Sequence, residues 1–208
     1  MENETILRKF LKIEFPKVEF TDEEMDFLER FKIKNETEAS ILKNILGENF
    51  TTVTEYYKTH PHIERAKERL QERHKTFNDR KKKDPNAFSN TENPDDCSFV
   101  NFLVWWYSKV DKEGYRKCYY CGIDEKTCED AFKYKVLPSK KFTGTLHIER
   151  KNSDLGYNED NCEFACALCN NAKSDMITED DFNTYFKEPM KKYWSHIKEE
   201  LKKNKGEV

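Results

Sequence analysis

Two cysteine pairs, Cys118-Tyr119-Tyr120-Cys121 and Cys166-Ala167-Leu168-Cys169, stand on either side of a single histidine, His147. A Cys-x-x-Cys pair folds into a tight knuckle that turns both sulfurs to one point. Two knuckles supply the four thiolates that tetrahedral Zn²⁺ prefers. An ion held this way has no open position for water, so its work is structural. The competing readings of these cysteines are disulfides or small buried apolar residues. Seven cysteines leave Cys97, Cys128 and Cys162 outside the quartet. Cys162 is near enough to Cys166 to be an alternative ligand, although its neighbours suit a buried strand.

Between the pairs runs Leu146-His147-Ile148-Glu149-Arg150, then a polar loop with Gly156-Tyr157, then Asp160-Asn161-Cys162-Glu163-Phe164-Ala165. Directly after the second pair comes Asn170-Asn171-Ala172-Lys173. A neutral imidazole can take a proton from water near physiological pH. Oxygen ligands suit Mg²⁺ or Mn²⁺, which keep positions open for water and phosphate. Together, one histidine and one such ion can supply what phosphodiester hydrolysis needs.

A histidine on a short strand, an asparagine opening a second strand and Cys-x-x-Cys-Asn opening a helix resemble, in that order, the HNH endonucleases, whose fold is the ββα-metal motif. The resemblance covers roughly a quarter to a third of the chain. It implies that His147 activates water, that Asn161 holds the loop and the histidine in place, and that Asn170 binds a catalytic Mg²⁺ or Mn²⁺. It also implies products with 5′-phosphate and 3′-hydroxyl ends. One departure is Leu146, where many members carry an acidic metal ligand. Glu149 lies two residues beyond His147 and shares its strand face, so it is the nearest replacement. Two assignments stay open: His147 as base with Glu149 and Asn170 on the ion, or His147 itself as a ligand. Arg150 and Lys173 are candidates for phosphate contact or for pairing with a neighbour. Asn152 and Asp154 suit loop-forming roles, because Asx side chains stabilise turns.

The elements that position these residues follow from the surrounding chain. Residues 1–83 read as a helical targeting or interaction region. Leu7, Phe10 and Leu11 recur at helical spacing, and Thr21-Asp22-Glu23-Glu24 is a capping box that starts a helix bearing Met25, Phe27, Leu28 and Phe31. A charged helix from His60-Pro61 ends in Arg80-Lys81-Lys82-Lys83, a basic cluster that suits phosphate contact or a solvated face. Residues 84–96 carry the turn residues of a linker. Residues 97–188 form the expected nuclease module, with the apolar run Phe99–Tyr107 as a helix packed under it. Residues 189–208 form a C-terminal helix and tail.

The fold class is therefore mainly α with a small α+β zinc module. Charged residues make up 37% and hydrophobic residues 36% of 208, with a formal net charge of −3. That balance excludes a uniformly basic nucleic-acid coat and confines any DNA surface to a local patch. No run reaches membrane-spanning length, and Met1-Glu2-Asn3-Glu4 lacks a secretory start, so the expected location is the cytoplasm. The reading is a metal-dependent HNH endonuclease with structural Zn²⁺, acting on DNA, with RNA left open. A homodimer or a protein partner would use the N-terminal helices. Restriction, phage defence and mobile elements are not separated by these residues. The alternative is a catalytically silent zinc module that binds nucleic acid or protein.

Overall fold

The computed structural model describes residues 6–32, 36–89, 98–111, 115–137 and 142–206. The chain divides into two compact units, Met1–Tyr107 and Ser108–Val208. The expected linker runs from 84 to 96; its residues 90–96, Cys97, and the lead-in 138–141 lie outside the described residues.

The first unit is helical: α1 (Ile6–Glu14), α2 (Asp22–Lys32), α3 (Glu38–Leu46), α4 (Val53–Thr59), α5 (Pro61–Lys81) and α6 (Ser98–Ser108). The capping box forms as its residue types require. Thr21 N–H donates to Glu24 Oε2 at 2.8 Å, and Glu24 N–H donates to Thr21 Oγ1 at 3.2 Å. Pro61 opens α5, where its missing N–H costs nothing. Ile63, Ala66, Leu70 and Phe77 of α5 fall on one face and are buried with Phe10, Leu11, Phe27, Leu28, Ile41 and Leu42.

Helix α6 is apolar nearly all round, yet its ring contacts run to α5 and the turn after it. Phe99 and Phe102 each lie 5.7 Å from Phe77, and Phe102 and Trp105 each lie 5.1 Å from Phe88. The Arg73 guanidinium covers Trp106 at 4.3 Å. These contacts give α6 a place in the core of the helical unit. The start of the expected linker shares in this: Asp84–Ser89 is a compact turn with Ala87 and Phe88 buried.

The second unit contains α7 (Glu125–Lys133), β1 (His147–Arg150), β2 (Cys162–Ala165), α8 (Ala167–Lys173), a short α9 (Glu179–Asp181), a π-helical segment (Phe182–Phe186) and α10 (Lys187–Lys205). Asp124 caps α7 by accepting from Thr127 N–H at 2.7 Å. Gly144 passes against this helix so closely that a Cβ there would meet Glu129 Cα and Phe132 Cβ at 3.0 Å. The final helix begins at Lys187, ahead of the expected start at Pro189. Pro189 has no N–H to give to the preceding turn, and the helix widens to π spacing just before it.

Candidate metal centre and nuclease site

Strands β1 and β2 pair antiparallel, with His147 opposite Ala165, Ile148 opposite Phe164, Glu149 opposite Glu163 and Arg150 opposite Cys162. Helix α8 follows β2 after one residue, Cys166. The order strand, strand, helix expected of the zinc module is present.

The four cysteines are all buried, and their sulfurs lie within 4.8 Å of one another. Cys121 Sγ and Cys166 Sγ are 3.8 Å apart. Tetrahedral zinc with Zn–S bonds of about 2.3 Å requires S···S separations of about 3.8 Å, so the quartet can hold that ion. Local geometry explains the approach. Gly122 N–H bonds to Cys118 O, and Cys118 N–H to Ile123 O, both at 2.8 Å, with Gly122 at φ 74°, where a side chain is disfavoured. Cys166 caps α8, its sulfur accepting from Cys169 N–H at 3.5 Å. The first knuckle is tied to β2 through Tyr119 N–H to Phe164 O at 2.8 Å.

Crowding of four thiols separates their acidities: hydrogen bonding from Cys121 pushes Cys118 down, and hydrogen bonding to Cys118 pushes Cys169 up. A bound cation would favour the thiolate at all four. Among the described residues, Cys118, Cys121, Cys128, Cys162, Cys166 and Cys169 form no disulfide. Cys162 is fully buried in β2 and is not in the cluster. Burial also pushes the Cys128 thiol up.

His147 is half-buried at the start of β1, and its Nε2 lies 2.7 Å from Thr143 Oγ1. Sequence reasoning missed Thr143, whose only signal is its place four residues upstream. Leu146 is buried, 7% exposed, where an acidic ligand was sought. Asn170 is half-buried on α8 and makes no side-chain hydrogen bond among the described residues. It stands three residues before Lys173, and residues at that spacing are neighbours on a helix surface.

Asn161 has a different place from His147. It is 5% exposed; its Oδ1 accepts from Asn152 N–H at 2.9 Å, and its Nδ2 donates to Asn152 O and Gly156 O, both at 3.0 Å. It therefore holds the loop. The antiparallel register puts it opposite Lys151, four residues from His147, roughly 13 Å along the strand. Asn152 Oδ1 in turn accepts from Asp154 N–H at 2.9 Å, the expected Asx turn.

Glu149 and Lys173 meet. Lys173 Nζ donates to Glu149 Oε1 at 3.0 Å and to Arg150 O at 3.1 Å. Lys173 has 0% exposure, so its ammonium is held inside the protein by these two acceptors. Burial pushes the Glu149 carboxyl pKa up, and the hydrogen bond from Lys173 opposes that rise. Toward a hard divalent ion, Asn170 offers an amide oxygen, whereas the Glu149 carboxylate already faces a buried cation. Among the described residues, the cysteine quartet is the only group of three or more Cys, His, Asp or Glu able to share an ion.

Arg150 donates to Leu155 O at 3.2 Å, lies 3.6 Å from Asp175 and sits 5.0 Å from the Tyr157 ring centre. In the first unit, Lys81, Lys82 and Lys83 are exposed and Arg80 is half-buried; Lys82 pairs with Asp79 at 3.2 Å, and Lys81 lies 5.7 Å from the Phe77 ring. The basic cluster is thus partly balanced within its own helix.

No protein-family model matches the chain, and no curated protein matches it. Among solved structures it is similar to the rare-cutting HNH restriction endonuclease PacI, at 23% identity and a TM-score of 0.44, over 60% of this chain and 78% of that one. A likeness this slight carries no functional argument. No described helix is long and apolar enough to cross a membrane.

Proposed function

We propose that the second unit is an HNH-type endonuclease module that hydrolyses phosphodiester bonds in DNA with a divalent ion. The observation that carries this reading is the strand–strand–helix order stapled by the cysteine quartet, with His147 on β1 and Asn170 on the helix that packs against it. In this reading His147 takes the proton from the attacking water, with Thr143 Oγ1 orienting the ring. Asn170 is the protein's ligand to Mg²⁺ or Mn²⁺, which when bound steadies negative charge on phosphate oxygens. Arg150 and the exposed lysines of residues 81–83 are candidates for the DNA backbone. Zn²⁺ on the quartet is structural.

A second reading, a zinc module that binds DNA without cutting it, is favoured by one specific feature: Leu146 is apolar and Glu149 is paired, which leaves few protein ligands for a hard ion. Incubating zinc-loaded protein with supercoiled plasmid, with Mg²⁺, with Mn²⁺ and with neither, separates the two. Nicked or linear plasmid that depends on the added ion supports the nuclease. Binding without any cleavage supports the silent module.

A further inference from the structure

We propose that the Glu149–Lys173 ion pair is a strut that docks α8 on β1 and fixes Asn170 relative to His147, with Glu149 serving as the counter-ion of Lys173 and not as a metal ligand. The catalytic half of this statement rests on the nuclease reading; the structural half does not.

The geometry is specific. Lys173 is the last residue of α8, and its side chain crosses from the helix to the strand, where it bonds to the Glu149 carboxylate and to the Arg150 carbonyl. The Lys173 side chain is 1% exposed and that of Glu149 12%. An ammonium so deeply withdrawn from water is tolerated only beside a compensating charge and with its N–H groups satisfied. Glu149 supplies the charge and, with the Arg150 carbonyl, accepts from two of the three N–H groups. Helix α8 ends at this point: Ser174, the next residue, has φ 47°, an uncommon conformation for a residue with a side chain.

The pair is also placed to transmit position. Glu149 is two residues from His147 on an alternating strand, so their side chains share a face. Lys173 is three residues from Asn170 on the helix. A tie between the second member of each couple sets the separation of the first. Glu149 cannot take up a divalent ion without placing that ion close to the buried ammonium, where like charges repel with little solvent screening.

Thermal unfolding and Mn²⁺ binding test the strut on the zinc-loaded full chain, independently of cleavage. Lys173→Met leaves a buried carboxylate unpaired and is expected to lower the unfolding midpoint by about 10 °C or more. Adding Glu149→Gln to that variant removes the stranded charge and is expected to recover at least about half of the loss. Glu149→Gln alone is expected to leave Mn²⁺ affinity, read by electron paramagnetic resonance, within about two-fold of the unaltered protein. Where the protein cuts DNA, Lys173→Met should lower kcat on the order of 100-fold with KM changed by no more than about two-fold, as a misplaced catalytic group does. Midpoint losses that simply add, or a loss of Mn²⁺ affinity of about ten-fold or more in Glu149→Gln, would overturn the strut. Absence of cleavage by the unaltered protein overturns the nuclease reading alone and leaves these two measurements standing.

Discussion

Asn161→Ala removes three hydrogen bonds at once and can be followed quantitatively. The side chain accepts from Asn152 N–H and donates to the carbonyls of Asn152 and Gly156, at 2.9, 3.0 and 3.0 Å, with Asn161 nearly buried. At about 1 kcal/mol each, the three bonds contribute about 3 kcal/mol. For a chain of this length that is a fall in unfolding midpoint of about 6–12 °C. The backbone bond from Asn161 N–H to Asn158 Oδ1, 2.9 Å, survives the substitution, so Asn158→Ala is a useful control with a loss of about 1 kcal/mol. Asn161→Asp should be no better than Ala, because it replaces the Nδ2 donor with an oxygen facing two carbonyl oxygens. The assay is thermal denaturation by circular dichroism, with limited proteolysis of residues 151–160 as the local readout. Zinc content should not change, because the cysteines lie on other segments. A midpoint within about 2 °C of the unaltered protein would refute the claim that Asn161 is what holds the loop.

Two further outcomes are expected. Purified protein should carry about one equivalent of zinc, and Cys166→Ser should lose both the metal and the folded second unit, since structural zinc contributes on the order of 10 kcal/mol of apparent folding free energy; elemental analysis of folded protein without zinc would contradict this. Replacing Arg80, Lys81, Lys82 and Lys83 with Gln should weaken DNA binding and flatten its salt dependence, each lost phosphate contact lowering the slope of log K against log salt by about 0.9. An unchanged slope in a fluorescence-anisotropy titration would assign that helix end to solvent.

The clustering of the four cysteines was legible in the sequence because two Cys-x-x-Cys knuckles carry their geometry locally. The same is true of the capping box at Thr21 and the Asx turn at Asn152, where side chain and backbone partner are only a few residues apart. The strands and α8 were legible to within a few residues, since alternation and the knuckle mark their ends. The position of α6 was not: a segment apolar on every side does not say which neighbour it packs on, and Phe77 and Phe88 complete a core that periodicity alone cannot show. The separation of Asn161 from His147 was also hidden, because it is set by strand register, a property of two segments together. The pairing of Glu149 with Lys173 was left open for a similar reason. A strand acid and a helix base 24 residues apart become partners only when the helix folds back along the strand.

The central claim concerns His147, and the most direct measurement compares His147→Ala with the unaltered zinc-loaded protein in plasmid cleavage with Mg²⁺ or Mn²⁺, with DNA affinity and zinc content measured on the same samples. Loss of a general base should lower the cleavage rate by about 10²- to 10⁴-fold while affinity and zinc stay nearly unchanged. Cleavage by His147→Ala at the unaltered rate, or no cleavage by either protein under these ions, would contradict the account.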